Sequence, residues 1–130
     1  MPDELKNKTV LVVEDEPPLQ EAIKFKLEQR GINVIAASTG EQALELLKVK
    51  RPQLVWLDIL LPGISGLEVL ERIRKDPKLK DLAAIMVSVS AGPEKIKRAT
   101  EMNVLDYIVK SDHKLDDIIE KVVVLLSVLV

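Results

Sequence analysis

Cysteine is absent from this sequence, histidine occurs once, and tryptophan, tyrosine and phenylalanine occur once each. Without thiols there is no disulfide framework and no thiolate metal centre, a composition at home in a reducing cytoplasm. The lone histidine, His113, has no second imidazole or thiolate to share a metal with, and its place before the last helical pattern makes it a surface residue. With aromatics at 2%, the core has to be aliphatic, and little is left to stack on nucleic-acid bases. An excess of one charge is also missing. The 19 basic residues stand against 21 acidic ones, so the net −2 leaves no electrostatic footprint for DNA or RNA. No apolar run approaches the roughly 18 residues that mark a membrane-spanning helix. The opening MPDELKNKT is polar and carries no signal-peptide core. These absences point to a cytoplasmic protein that binds neither nucleic acid nor membrane directly.

What is present is an alternation of strand and helix, repeated five times over 130 residues, a length that suits one domain spanning 1–130. Residues 9–13 form an apolar, β-branched run ending in Glu14-Asp15-Glu16. A helix follows, with Pro17 and Pro18 in its first turn, Leu19, Ala22, Ile23 and Leu27 at helical spacing, and Gly31 as its stop. Residues 32–36 make a short second strand. Ser38 with Glu41, and Thr39 with Gln42, have capping-box spacing and open a second helix that turns Ala43, Leu44 and Leu47 inward. After Pro52 a third strand runs to Asp58, and Ser65 with Glu68 caps a third helix whose Leu67, Leu70 and Ile73 share a face. Residues 82–89 read as the fourth strand, Gly92-Pro93 opens the fourth helix, and residues 104–109 form the fifth strand. A fifth helix from about Lys114 carries Leu115, Ile118, Ile119, Val122, Leu126 and Leu129. Such alternation with short loops implies an α/β fold with a parallel sheet and helices on both faces.

The chemistry gathers at residues 54–66, LVWLDILLPGISG. A strand covered on both faces runs straight into Asp58 and a Pro-Gly turn, which puts this carboxylate at the strand's C-terminal edge, where open α/β sheets bind ligands. In a sheet of order 2-1-3-4-5 the first and third strands flank the switch point, so Glu14 and Asp15 meet Asp58 there. The fifth strand brings Lys110 to the same edge. Carboxylates about 4 Å apart repel by roughly 4 kcal/mol at an effective dielectric near 20, a serious load for a domain stable by roughly 5–15 kcal/mol. A proton or a cation has to relieve it. Oxygen ligands without His or Cys suit Mg²⁺, with Mn²⁺ as the second candidate, and the backbone carbonyl of Leu60 would complete the coordination. A divalent cation and the Lys110 ammonium flanking Asp58 make a phosphoryl-transfer site with Asp58 as nucleophile.

Three blocks fix the comparison: VLVVEDE at 10–16, Asp58-Ile59-Leu60-Leu61-Pro62 with Gly66, and Asp106-Tyr107-Ile108-Val109-Lys110, with Ser88 at the matching distance before the lysine. In order and spacing they resemble the receiver (CheY-like) domain of two-component response regulators over nearly the whole chain. The resemblance implies a flavodoxin-like (βα)5 fold, a doubly wound parallel five-stranded sheet of order 2-1-3-4-5. It implies that Asp58 accepts a phosphoryl group from a phosphohistidine on a sensor histidine kinase or a histidine phosphotransfer protein. Asp15, and Glu14 through water, would hold Mg²⁺ with Asp58 and the Leu60 carbonyl, and Lys110 would pair with the phosphoryl oxygens. Ser88 and Tyr107 would switch together and remodel the face made by the fourth helix, fifth strand and fifth helix. That face would meet a downstream protein target or output domain, or a second copy in a homodimer. The module would assist only its own phosphorylation and dephosphorylation, and so is not an enzyme.

Five positions depart from the family pattern. Glu14 replaces the commoner Asp. Val89 stands where Ala, Gly or Ser is usual, and is expected to crowd out attacking water and slow phosphate loss. Ser111 replaces the proline that usually follows the lysine, so nothing there favours a cis peptide. Asn103-Val104 replaces Gly-Ala, without a functional meaning visible in the sequence. Other functions compete: an unphosphorylated receiver-like interaction module, an Mg²⁺-dependent phosphohydrolase with an aspartyl nucleophile, and a flavin-binding domain of the same topology. The hydrolases usually carry a second acid where this chain has Leu60, and Glu14-Asp15-Glu16 would repel a flavin phosphate. Trp56 reads as core filler placed to report on the site by fluorescence. Val124 and Val128 fall on the outer side of the fifth helix, and the sequence closes on Ser-Val-Leu-Val, apolar surface expected of an interface.

Overall fold

The computed structural model describes residues 5–89 and 92–129; residues 1–4 of the polar opening and Val130 of the apolar ending lie outside them. Five parallel strands, β1 (Thr9–Val13), β2 (Asn33–Ala37), β3 (Leu54–Leu57), β4 (Ala83–Ser88) and β5 (Asp106–Val109), lie in the order β2-β1-β3-β4-β5. The helices α1 (Pro17–Gln29), α2 (Gly40–Leu47), α3 (Gly66–Lys75), α4 (Pro93–Glu101) and α5 (Leu115–Val128) alternate with them. This is the flavodoxin-like α/β arrangement that the alternating pattern predicts.

The central strand explains why the sheet needs cover on both sides. All four residues of β3 are buried, and because side chains alternate across a strand, Leu54 and Trp56 face one layer while Val55 and Leu57 face the other. The first layer is closed by α1 and α5 through Ile23, Leu27, Ile118 and Val122. The second is closed by α2, α3 and α4 through Ala43, Leu47, Leu70, Ile73 and Ala99. Each fully buried Leu or Ile contributes about 1.5–3 kcal/mol. Ion pairs of Lys26 with Asp116 and of Arg30 with Glu120 lace α1 to α5 at their solvent edge.

Local signals set the element ends. Thr39 Oγ1 accepts from the Gln42 amide at 3.0 Å, but the Gln42 side chain returns to the Ser38 amide at 2.8 Å, so the box opening α2 is shared by two residues. Ser65 Oγ accepts from the Glu68 amide at 3.2 Å, while the Glu68 carboxylate turns outward to Arg72 at 2.6 Å. Gly31 has φ 82°, a left-handed stop after α1. Asn103 also takes a left-handed backbone, φ 60°. Asn tolerates that region better than other side-chain-bearing residues, which accounts for Asn where glycine is usual. The turn it makes delays β5, so residues 104 and 105 precede the strand, and β2 lies one residue later than 32–36. Arg74 fastens this corner by donating to the carbonyls of Met102 and Leu82 at 2.7 Å and of Lys80 at 3.0 Å. Among the described residues there is no cis peptide, and no helix is long and apolar enough to cross a membrane.

Candidate functional site

Register carries the acids to one place. Val13 pairs with Leu57, and the Asp58 amide donates to the Val13 carbonyl at 3.2 Å, so Glu14 and Asp58 leave the sheet side by side. On the far side of β1 the Glu14 amide donates to the Ala37 carbonyl at 3.0 Å. Gln20 reinforces the joint: its Nε2 donates to the Glu14 carbonyl at 2.9 Å and to the Ala37 carbonyl at 3.1 Å. Ser88 pairs with Val109 at the end of the β4–β5 ladder, so Lys110 leaves β5 at the same edge.

Gly66 shapes the loop that carries Asp58. Its amide donates to the Ile59 carbonyl at 2.9 Å. A Cβ at this position would lie 1.9 Å from the Asp58 carbonyl oxygen, so no side chain fits without moving that backbone. Asp58 Oδ1 accepts from the Leu60 amide at 3.1 Å, an Asx-type turn that orients the carboxylate.

Lys110 lies between the two buried acids. Its Nζ is 2.7 Å from Glu14 Oε1 and 2.8 Å from Asp58 Oδ2. Glu14 Oε2 accepts from the Glu16 amide at 3.1 Å. The side chain of Glu14 is 0% exposed, that of Asp58 7% and that of Lys110 16%. Burial raises the Glu14 carboxyl above the ordinary glutamate range and the charge on Asp58 adds to this; the bonds from Lys110 and the Glu16 amide oppose both without cancelling them. Burial alone would lower Lys110, but its bonds to Asp58 and Glu14 outweigh that and hold it above the ordinary lysine value.

Glu14, Asp15 and Asp58 each offer one carboxylate oxygen, all within 4.8 Å of one another. Hard oxygen donors at that spacing fit a divalent cation such as Mg²⁺ that keeps some of its waters. The predicted acids and Lys110 are therefore brought together. Ser88 is fully buried at the end of β4. Tyr107 is partly buried against the layer closed by α2, α3 and α4, one strand position before the buried Ile108. Leu60 is 50% exposed, with its amide on Asp58. His113, expected on the surface, is instead partly buried beside Lys110. The salt bridge from Lys110 to Glu14 and the Gln20 clamp were not visible in the sequence. Nothing in a linear pattern marks which of two neighbouring acids reaches a lysine ninety-six positions away.

The fold and site together define a flavodoxin-like α/β module with a carboxylate cluster and a lysine at the switch point of its sheet. The model of the response regulator receiver domain matches residues 10–123, and the chain belongs to that family. It is thus a phosphoacceptor regulatory module of the two-component kind, not an enzyme in its own right. Among curated relatives, the phosphate regulon transcriptional regulatory protein PhoB of Pseudomonas aeruginosa is 34% identical over 103 residues, which cover 79% of this chain and 45% of that protein. The chain spans less than half the length of such PhoB relatives. Among solved structures, the response regulator TrrA of Thermotoga maritima in complex with Mg²⁺-BeF is 38% identical, with a TM-score of 0.78 over 91% of this chain and 98% of that one. The non-phosphorylated HemR receiver domain of Leptospira biflexa is 30% identical, with a TM-score of 0.86 over 94% of this chain and 96% of that one.

Proposed function

We propose that Asp58 is the phosphoacceptor of a two-component phosphorelay. The observation that carries this reading is the Asp58 carboxylate held against the Lys110 ammonium at 2.8 Å, at the edge where Glu14 and Asp15 also converge. In the transfer, an Asp58 carboxylate oxygen attacks the phosphorus of a phosphohistidine on a sensor histidine kinase or a histidine phosphotransfer protein. The N–P bond breaks, its electron pair returns to the imidazole, and Lys110 faces the new charge on the phosphoryl oxygens. Asp15 and Asp58, the Leu60 backbone carbonyl, and Glu14 through a water, would hold Mg²⁺ or Mn²⁺, whose charge offsets that of the incoming phosphoryl oxygens.

The switch we assign to Ser88 and Tyr107. Ser88 turns its hydroxyl to the phosphoryl group, Tyr107 moves inward, and the α4–β5–α5 face changes shape. Leu105, Val124 and Val128 are exposed near or on that face, 45%, 61% and 72% respectively. Such apolar surface suits an output domain, a downstream protein or a second copy of this chain. We read residues 1–130 as one cytoplasmic receiver domain that acts through protein contacts, without binding nucleic acid or membrane itself.

The test is incubation with Mg²⁺ and a small acyl phosphate, followed by intact mass and Trp56 fluorescence. The wild type is expected to gain one phosphoryl group and change its emission, and Asp58→Asn to do neither. Equal phosphoryl uptake by Asp58→Asn would sink the assignment.

A further inference from the structure

The peptide unit between Glu14 and Asp15 joins two of the three clustered acids, and its carbonyl lies past the last rung of the β1–β2 ladder. That ladder closes where the Glu14 amide donates to the Ala37 carbonyl at 3.0 Å, one step beyond the Val13–Ala37 pair. In a parallel pair the next rung would run from the Thr39 amide to the Glu14 carbonyl. Thr39 has instead left the sheet to cap α2, so the carbonyl needs another donor.

Gln20, half-buried near the start of α1, supplies it. Its Nε2 lies 2.9 Å from the Glu14 carbonyl oxygen, 3.1 Å from that of Ala37 and 3.2 Å from Ser38 Oγ. Carbonyls only accept, so the NH2 end of the side chain must face them. Gln20 is itself held at the root, where its amide donates to the Glu16 carbonyl at 2.9 Å in a helix opened by two prolines.

A peptide unit is planar, so fixing the Glu14 carbonyl fixes the plane from which the Asp15 backbone departs. Glu14 has further anchors on its side chain, at the Glu16 amide and the Lys110 ammonium. The Asp15 carboxylate has no hydrogen bond or ion pair among the described residues. Its place within 4.8 Å of the Glu14 and Asp58 oxygens is therefore left to its backbone.

We propose that Gln20 is a positioning residue for the cation site: its grip on the Glu14–Asp15 peptide presets the Asp15 carboxylate and so sets Mg²⁺ affinity. The assignment rests on the cation site proposed above. Without the grip, the peptide has to be ordered at the moment of binding, which weakens it.

The test uses the ¹⁵N-labelled chain, with Mg²⁺ titrated against the Asp15 amide cross-peak and no phosphodonor present. Gln20→Met keeps the length and removes both donors, and its Kd is expected to rise about tenfold or more, as when a group orienting a metal ligand is lost. Ile73→Val, a truncation in the core under α3, serves as the control for lost stability and should bind Mg²⁺ as the wild type does. Gln20→Glu separates charge from position. Its extra negative charge alone would tighten Mg²⁺, but at neutral pH it cannot donate to the two carbonyls, so weaker binding is expected. In the wild type the Gln20 side-chain protons should exchange about tenfold or more slowly than those of the exposed Gln29.

Gln20→Met or Gln20→Glu binding Mg²⁺ as tightly as the wild type, or Ile73→Val weakened as much as Gln20→Met, would overturn the role of Gln20 alone. A wild type whose Asp15 peak does not respond to Mg²⁺ would overturn the cation site and this role with it. Gln20 side-chain protons that exchange as fast as those of Gln29 would overturn the grip without recourse to any variant.

Discussion

Replacing Lys110 by Met keeps a long apolar stem and removes the ammonium that bridges Glu14 and Asp58. Both acids are nearly sealed from solvent, at 0% and 7% side-chain exposure. Breaking a buried pair from one side costs roughly 3–5 kcal/mol, because the partner is left charged in a poor solvent. Here two carboxylates lose the same partner, so the upper half of that range is expected at neutral pH. For a domain of this size that corresponds to a fall in Tm on the order of 10–20 °C. The assay is urea and thermal unfolding followed by far-UV circular dichroism, without divalent cations and then with Mg²⁺ added. Protonation also relieves unpaired carboxylates, so the deficit should shrink as the pH is lowered toward the range where Glu14, already raised by burial, takes up its proton. Ligand binding to the native state stabilises by about 2.7 kcal/mol at a hundredfold excess over Kd, and the more negative variant should gain more from Mg²⁺ than the wild type. In the wild type the folded Lys110 pKa is raised, so its contribution is fully present below the ordinary lysine value of about 10.4. It is lost only as the pH rises through the folded value. A Lys110→Met protein that unfolds within about 1 kcal/mol of the wild type at neutral pH without Mg²⁺, well below that expected loss, would refute the view that this lysine neutralises the cluster.

Gly66→Ala places a methyl where the Asp58 carbonyl oxygen stands 1.9 Å away; a loss of about 1–3 kcal/mol in thermal unfolding is expected, together with a weaker Mg²⁺ response of Trp56 emission. A native melt and an unchanged response would mean that the loop carrying Asp58 relaxes freely. Glu14 holds its proton to higher pH than a free glutamate, so protons compete with cations there and apparent Mg²⁺ affinity should climb with pH above the ordinary glutamate range. In Glu14→Gln that climb is expected to flatten, as read by fluorescence titration at several pH values. Val89, 59% exposed immediately after the buried Ser88, is expected to hinder attacking water. Val89→Ala should therefore lose its phosphoryl group faster in a time course of intact mass after donor removal, and equal lifetimes would remove that role.

The apolar runs made the sheet legible, because a strand buried on both faces can hardly be written otherwise: Leu54 to Leu57 has no polar residue to place on a surface. The convergence of Glu14, Asp15, Asp58 and Lys110 was equally readable, since all four follow the C-terminal ends of parallel strands β1, β3 and β5. Element ends were less so. The start of β5 depends on Asn103 adopting φ 60° and on Arg74 reaching carbonyls far along the chain, neither of which has a local signature. His113 looked like a surface residue because its neighbours Ser111, Asp112 and Lys114 are polar. It follows the short 3₁₀ turn at Lys110–Asp112 and lines a cleft together with Trp56 and with Leu19 and Ile23 of α1.

The choice of Glu at position 14 has a consequence for how the site is balanced. Its backbone is fixed by the bond to Ala37 and by the Gln20 clamp, so side-chain length alone decides what the carboxylate reaches. From that anchor Glu14 satisfies the Glu16 amide with one oxygen and the Lys110 ammonium with the other. An aspartate, one methylene shorter, would have to give up one of the two. Lys110 is therefore shared between Glu14 and Asp58. Any new anion at Asp58 has to draw the ammonium away from a carboxylate that is buried and costly to leave unpaired. A divalent cation beside Glu14 lowers that cost by supplying the charge Lys110 withdraws. Cation binding and release of the lysine are therefore expected to favour each other, and Glu14→Asp should loosen that coupling while keeping the acidic cluster.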